Sequence, residues 1–319
     1  MKQLLLFLLL LTTNLFSQDF ETVDEKVLTY PRFSKVEDLA KRIDNEFSSD
    51  LEKVRAAFFW LAKNVRYNLK EYYNPRQRSY SFSYRNEQEK AQKYQLLVDQ
   101  LVQQTFRNKM GVCEEYAQSF KKICDLLKIE SVVIKGYVRN NARAIGNIPN
   151  STNHAWNAVK VKDNWLILDA TWAAGYEYNG KWIRDYNEYF FNIPKLKILK
   201  THYPEDSLWM LRFGRISLEE FYNQPIYSNI FLNLDTELIA PLTGKIHINN
   251  KENFDLSFTN LDTTYTIFYV FRGQNVAKKP IVLVNKDITK LNIKSPNKTT
   301  DLILYINNKD ALHFKVIVD

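Results

Sequence analysis

The hydrophobic period of this 319-residue chain changes after Lys128, and that change restricts the fold more than any other feature. Before it, apolar residues recur at helical spacing: Leu51, Val54, Phe58, Leu61 and Val65 form one stripe, with Ser49 and Glu52 as a capping box at its start. The pattern predicts helices over residues 36–47, 51–65 and 87–106, with Trp60 packed inside, and a further helix that begins at Cys113. After Lys128, β-branched and aromatic runs alternate with turn formers, predicting strands over 131–138, 154–161 and 165–169 and a hairpin at Asn179-Gly180. Helices followed by antiparallel strands make an α+β domain. Residues 70–86 are polar and tyrosine-rich, contain Pro75, and read as a surface loop or lid.

Beyond Asn229 the runs 245–248, 254–258, 265–271, 281–284, 302–306 and 314–318 are short and separated by Asn, Asp, Gly, Pro and Lys, as in a β-sandwich of immunoglobulin type. At the other end, Lys2, the apolar run 4–11 and the small Ser17 ahead of Gln18 describe a secretory signal peptide, too short to span a bilayer. The expected organisation is a signal peptide at 1–17, an α+β domain at 18–228 and a β-sandwich at 229–319. A secreted or periplasmic protein without stable membrane insertion follows. The net charge of +8, or +7 without Lys2, is spread among acidic residues with no basic cluster interleaved with aromatics, which argues against nucleic acid as a partner.

Export permits disulfides, yet the only cysteines are Cys113 and Cys124. On one helix they would lie about 16 Å apart, too far to bridge. Gly111 breaks the chain before Cys113, and Tyr116, Ala117, Phe120, Ile123, Cys124 and Leu127 then follow helical spacing. Cys113 is thereby set in a first helical turn, where unpaired N–H groups and the positive dipole end favour a thiolate. The competing reading is a small buried core thiol, which suits Cys124 on the apolar stripe.

His154 opens one predicted strand and Asp169 closes the next. A turn centred on Lys162-Asp163 sets Asp169 opposite Trp156 and diagonal to His154, within reach of a hydrogen bond. A one-residue slip would send Asp169 to the other face. Cysteine, imidazole and carboxylate together suit acyl transfer: the thiol attacks an amide, the imidazole carries the proton, and the carboxylate fixes its tautomer. Trp156 and Trp172 flank these positions and could wall a substrate cleft; core packing is the other reading.

The blocks Gly111–Ala117 (GVCEEYA), 153–159 (NHAWNAV) and 165–172 (WLILDATW) resemble the transglutaminase-like superfamily, in the order Cys, His, Asp. The stretch 189–194 (YFFNIP), with His202-Tyr203-Pro204 and Trp209 beyond it, is similar to the kyphoscoliosis-peptidase-like branch. The resemblance spans roughly residues 29–222. It implies a papain-like core, needing no metal or cofactor, with Cys113 as nucleophile, His154 as base and Asp169 as its orienter. It leaves hydrolysis, deamidation and cross-linking open, with hydrolysis of a protein or peptide, cell-wall peptides included, the favoured reaction. A binding or adhesion module on the same fold is the competing class.

Overall fold

The computed structural model describes residues 20–74, 83–212 and 214–319, so the expected signal segment lies outside it, as do residues 75–82 of the expected lid. Helices α1 (Glu21–Leu28), α2 (Val36–Glu46) and α3 (Asp50–Asn64) open the chain. The Ser49 hydroxyl accepts the Glu52 N–H and the Glu52 carboxylate accepts the Ser49 N–H, so α3 starts at the expected capping box. Nine of its residues are buried, and Trp60, 0% exposed, stacks on Phe106 with ring centroids 5.2 Å apart.

Strand β1 (Arg66–Tyr67) then pairs in parallel with β2 (Met110–Gly111), which sets Tyr67 beside the chain entering the cysteine helix. Between them lie α4 (Leu69–Tyr73), where a loop was expected, and α5 (Glu87–Asn108). The loop expectation fails at Leu69–Tyr73 because the Asn68 side chain accepts the Glu71 N–H and caps a short helix. Helix α6 runs Cys113–Leu126.

Strands β3 (Ser131–Val138), β4 (His154–Val161) and β5 (Asn164–Leu168) form a meander. The order of this sheet is β5-β4-β3-β8, where β8 (His202–Pro204) arrives from much later in the chain. Register across β4 and β5 runs from Val161 opposite Asn164 to Asn157 opposite Leu168, the pairing expected from a Lys162-Asp163 turn. Past β5 come α7 (Ala170–Ala173) and the hairpin of β6 (Gly175–Tyr178) and β7 (Lys181–Arg184), turning through Asn179 and Gly180, both at positive φ.

The C-terminal part contains β9 (Ile226–Tyr227), β10 (Glu237–Ala240), β11 (Lys245–Ile248), β12 (Phe254–Thr259), β13 (Ile267–Phe271), β14 (Ile281–Asn285), β15 (Ile288–Ile293), β16 (Thr300–Ile306) and β17 (Lys309–Val318). They form two sheets, β10-β12-β15-β14 and β11-β17-β16-β13, around one apolar cluster that includes Leu256, Phe258, Leu291, Leu304 and Phe314. This is the expected sandwich. Strands β9, β10 and β15 are additions; β15 is missed because Ile288, Leu291 and Ile293 are broken up by Thr, Lys and Asn. The sandwich is tied to the first part by Lys315 Nζ, which donates to Ile145 O at 2.7 Å, while buried Arg139 holds the segment leading into it through the carbonyls of Gln224 and Pro225.

Candidate active site

Helix α6 begins at Cys113, as its sequence predicts. The Glu115 carboxylate accepts the Val112 N–H at 3.1 Å, closing the helix start from within. Gly111 is needed for space: a Cβ there would lie 2.6 Å from Glu115 Cβ. Two buried bonds then set the helix against its surroundings. Tyr116 donates its hydroxyl proton to Val65 O at 2.6 Å, and Asn157, on β4, donates to Ala117 O at 3.0 Å and Val132 O at 3.1 Å. Asn157 thereby fixes the cysteine helix to the strand that opens with His154.

Asp169 follows β5 and caps α7. Its Oδ1 accepts the N–H groups of Thr171 (2.8 Å) and Trp172 (3.0 Å), and its own N–H donates to Phe190 O. Oδ2 meets His154 Nε2 at 2.6 Å and His202 Nε2 at 3.1 Å. The carboxylate, 1% exposed, thus receives four donors. Burial alone would raise its pKa, but the two histidines reverse the sign and hold it well below the usual carboxylate range.

Burial opposes charge on His154 as well. The Asp169 carboxylate outweighs it, with a further contribution from the Cys113 side chain, and raises the imidazole pKa to about 10. Since Nε2 is spent on Asp169, Nδ1 is the atom left for Cys113. His202 is driven the other way: burial lowers its pKa, so it is neutral. Facing an acceptor-only carboxylate, its Nε2 carries the proton, and its Nδ1 accepts from Thr201 Oγ1 at 2.8 Å. The network is complete from Thr201 through His202 and Asp169 to His154.

The sequence reading brought Cys113, His154 and Asp169 together and missed the roles of His202, Thr201 and Asn157. A signal for His202 existed in its Thr201-His202 pairing of a hydroxyl with an imidazole, but nothing local tied it to Asp169. His154, Asp169 and His202 present ligand atoms within 4.8 Å of one another, close enough for a metal ion. Each histidine Nε2 already donates to the shared Oδ2, so a cation would have to displace both bonds. The donor set therefore suits proton handling better than metal binding.

Trp156 does not wall a cleft. It is 1% exposed and packs against both imidazoles, with ring centroids 6.1 Å from His154 and 5.0 Å from His202. The cause is Gly136, whose missing side chain lets the indole lie against β3. Trp172 is half-buried over the same pair, 4.8 Å from His202 and T-shaped on Phe190, where it shields the Asp169 hydrogen bonds. The cavity at Cys113 lies elsewhere. It holds about 390 Å³ and is lined by Tyr67, Tyr72, Tyr94, Val98 and Leu101 with Cys113 itself at its edge. The apolar residues Tyr94, Leu97, Val98 and Leu101 at the middle of α5 line this cavity, which explains why they are only partly covered. Tyr176 and Tyr178 are exposed and do not line it. Cys124 is buried, and burial pushes its thiol up to about 12.

Residues 37–170 match the transglutaminase-like superfamily. The kyphoscoliosis peptidase of Homo sapiens is 23% identical over 287 residues, covering 89% of this chain and 40% of that protein. That of Mus musculus is 24% identical over 285 residues, covering 88% and 39%. The chain thus spans about two fifths of the length of these relatives. A crystal structure of a TGase aligns over 58% of this chain and 40% of its own, at 18% identity and a TM-score of 0.29. Residues 37–170 therefore carry a transglutaminase-like domain, and the chain is similar to kyphoscoliosis peptidases over most of its length.

Proposed function

We propose that the chain is an exported cysteine acyl-transfer enzyme that hydrolyses amide bonds in proteins or peptides. One observation carries the reading: an imidazole bonded at 2.6 Å through Nε2 to a buried carboxylate, which raises its pKa, leaving Nδ1 for the half-buried Cys113 at a helix start. The Cys113 thiolate attacks the amide carbonyl carbon, and the imidazolium proton on Nδ1 passes to the leaving nitrogen as the C–N bond breaks. A water then gives a proton back to His154 while its oxygen attacks the thioester and the C–S bond breaks, releasing the acid and restoring the thiolate and the imidazolium. Charge on the carbonyl oxygen in each step is met by the unpaired Cys113 N–H and the Tyr67 hydroxyl. Burial and the negative charge at Cys113 hold that hydroxyl protonated, and Tyr67 lines the same cavity.

Hydrolysis is favoured because the cavity is walled mainly by tyrosine and aliphatic side chains, while its Gln118 and Asn153 amides are already bonded to Glu114 and Val138. That leaves little to recognise a glutamine amide. Export rests on residues 1–17, whose removal would be read from the N-terminal mass of protein collected outside the cell. No helix among the described residues is long and apolar enough to cross a membrane. The decisive experiment is alkylation at neutral pH with mass-spectrometric mapping, followed by a peptide and glutamine–amine panel. Cys113 should label far faster than Cys124, and Cys113→Ala should remove all turnover. Equal, slow labelling of both cysteines would favour the binding-module reading, and product masses separate hydrolysis from deamidation and cross-linking.

A further inference from the structure

The cavity beside Cys113 is small, and its walls are held in place from behind. At about 390 Å³ it lies near the lower end of the roughly 300–1,000 Å³ usual for ligand sites, which suits one large side chain. Tyr67 forms one wall. Trp182 stacks on it with ring centroids 5.1 Å apart, and Tyr72 meets it at 5.7 Å. Leu97, Val98 and Leu101 of α5 form another wall. The next turn of α5 is buried at Val102 and Phe106, and Asp99 pairs with Lys122 of α6 at 2.9 Å, so this wall is tied to the cysteine helix.

The amides of the lining are already engaged. Gln118 donates to Glu114 at 2.9 Å, and the Asn153 side chain exchanges two bonds with the Val138 backbone at 2.8 and 3.0 Å. Glu71 has a partner as well, and Lys135 is exposed. A polar side chain entering the cavity gives up its water and finds few partners, whereas an apolar one exchanges water for tyrosine and aliphatic surface.

Which residue of a substrate reaches the cavity follows from the chemistry at its edge. In the acyl-transfer reading the leaving nitrogen takes its proton from His154 Nδ1, and the carbonyl oxygen meets the Cys113 N–H and the Tyr67 hydroxyl. Cys113 and Tyr67 both line the cavity, whereas His154, Asp169 and Trp172 do not. The cavity therefore lies on the carbonyl side of the scissile bond and the imidazole on the amine side. We propose that the cavity recognises a bulky apolar side chain, phenylalanine or leucine, on the residue that supplies the attacked carbonyl. The inference rests on the acyl-transfer reading and narrows its substrates to peptides cut after such a residue.

The test is a series of N-acetylated amino-acid chloromethyl ketones carrying the side chain of Phe, Leu, Ala, Gln, Glu or Lys, applied to the purified chain. In each, the Cys113 thiolate displaces chloride from the methylene carbon, so the side chain is set where the acyl-side residue of a substrate sits. Rates of Cys113 modification are read by mass spectrometry and divided by the rate with chloroacetamide, which carries no side chain. Phe and Leu should exceed Ala by about 10- to 100-fold, the factor expected for burying one large apolar side chain, and Gln, Glu and Lys should not exceed Ala. Val98→Trp, which narrows the cavity, should bring the Phe-to-Ala ratio close to one. Leu101→Ala, which widens it, should move the preference toward the larger naphthylalanine. Equal rates across the series, with chloroacetamide labelling Cys113 far faster than Cys124, overturn the cavity assignment and leave the acyl-transfer reading standing. A lead for Gln, Glu or Lys overturns it too, as does a Phe preference that neither variant changes. Chloroacetamide labelling of Cys113 no faster than that of Cys124 overturns the inference together with the reading beneath it.

Discussion

Replacing His202 with leucine removes one of the four donors on Asp169 and leaves the packing volume close to its original value. The lost bond is charge-assisted and fully buried, so the expected cost is about 1.5–3 kcal/mol at neutral pH. At 1.36 kcal/mol per pKa unit, the same change raises the folded pKa of Asp169 by about 1–2 units. A carboxylate with a depressed folded pKa contributes stability that is fully present above its unfolded value near 3.9, and the contribution is lost as pH falls through the folded value. The deficit of His202→Leu should therefore stay constant above about pH 6.5 and shrink as pH falls below it, because the unfolded wild type takes up a proton on His202 that the buried, neutral imidazole does not. His202→Gln, whose amide can still donate near the Nε2 position, should recover most of it.

The same free energy governs how firmly Asp169 is aimed at His154, so turnover and Cys113 alkylation should fall by about 10- to 100-fold. KM should stay unchanged, because His202 does not line the cavity. Urea unfolding across acid and neutral pH, with alkylation rates for the wild type and both variants, tests the reasoning. It would be refuted by a leucine variant with wild-type alkylation and neutral stability, or by a glutamine variant equally impaired.

Asp169→Asn should slow turnover and Cys113 alkylation by about 10³–10⁴-fold while the protein stays folded, since the amide oxygen can still cap α7 but the tautomer of His154 is released; unfolding curves and alkylation rates check both halves. The raised pKa of His154 stabilises the fold fully below its unfolded value of about 6.5, and this is lost as pH rises through about 10, so urea midpoints should decline across that window and decline less in Asp169→Asn. Gly136→Ala would bring a Cβ to 2.3 Å from Tyr203 O and 2.9 Å from Pro204 Cα, both backbone atoms of β8. It should destabilise by about 1–3 kcal/mol and, by pushing β8 away, slow Cys113 alkylation, whereas a loss of stability with an unchanged alkylation rate would separate β8 from the site.

Local signals sufficed for a large part of this protein. Gly111, Glu115 and the stripe from Tyr116 to Leu127 are a helix start written within a few residues, and the helix begins at Cys113 accordingly. The Lys162-Asp163 turn sets strand register by geometry alone, which is why Asp169 could be brought to His154 before any coordinates. The cap at Asn68 was equally local and was passed over, because tyrosines and Pro75 dominated the reading of that stretch. What the tertiary structure decided is of a different kind. His202 joins the site because β8 pairs with β3 and not with a sequence neighbour, bringing it to Asp169 across 33 residues. Trp156 is buried because Gly136 on the adjacent strand leaves room for it, and the cysteine helix meets His154 through Asn157, whose partners lie 40 and 25 residues away. Periodicity, caps and turns reflect forces that act over one or two turns of chain, whereas these contacts depend on which surfaces the whole core brings together.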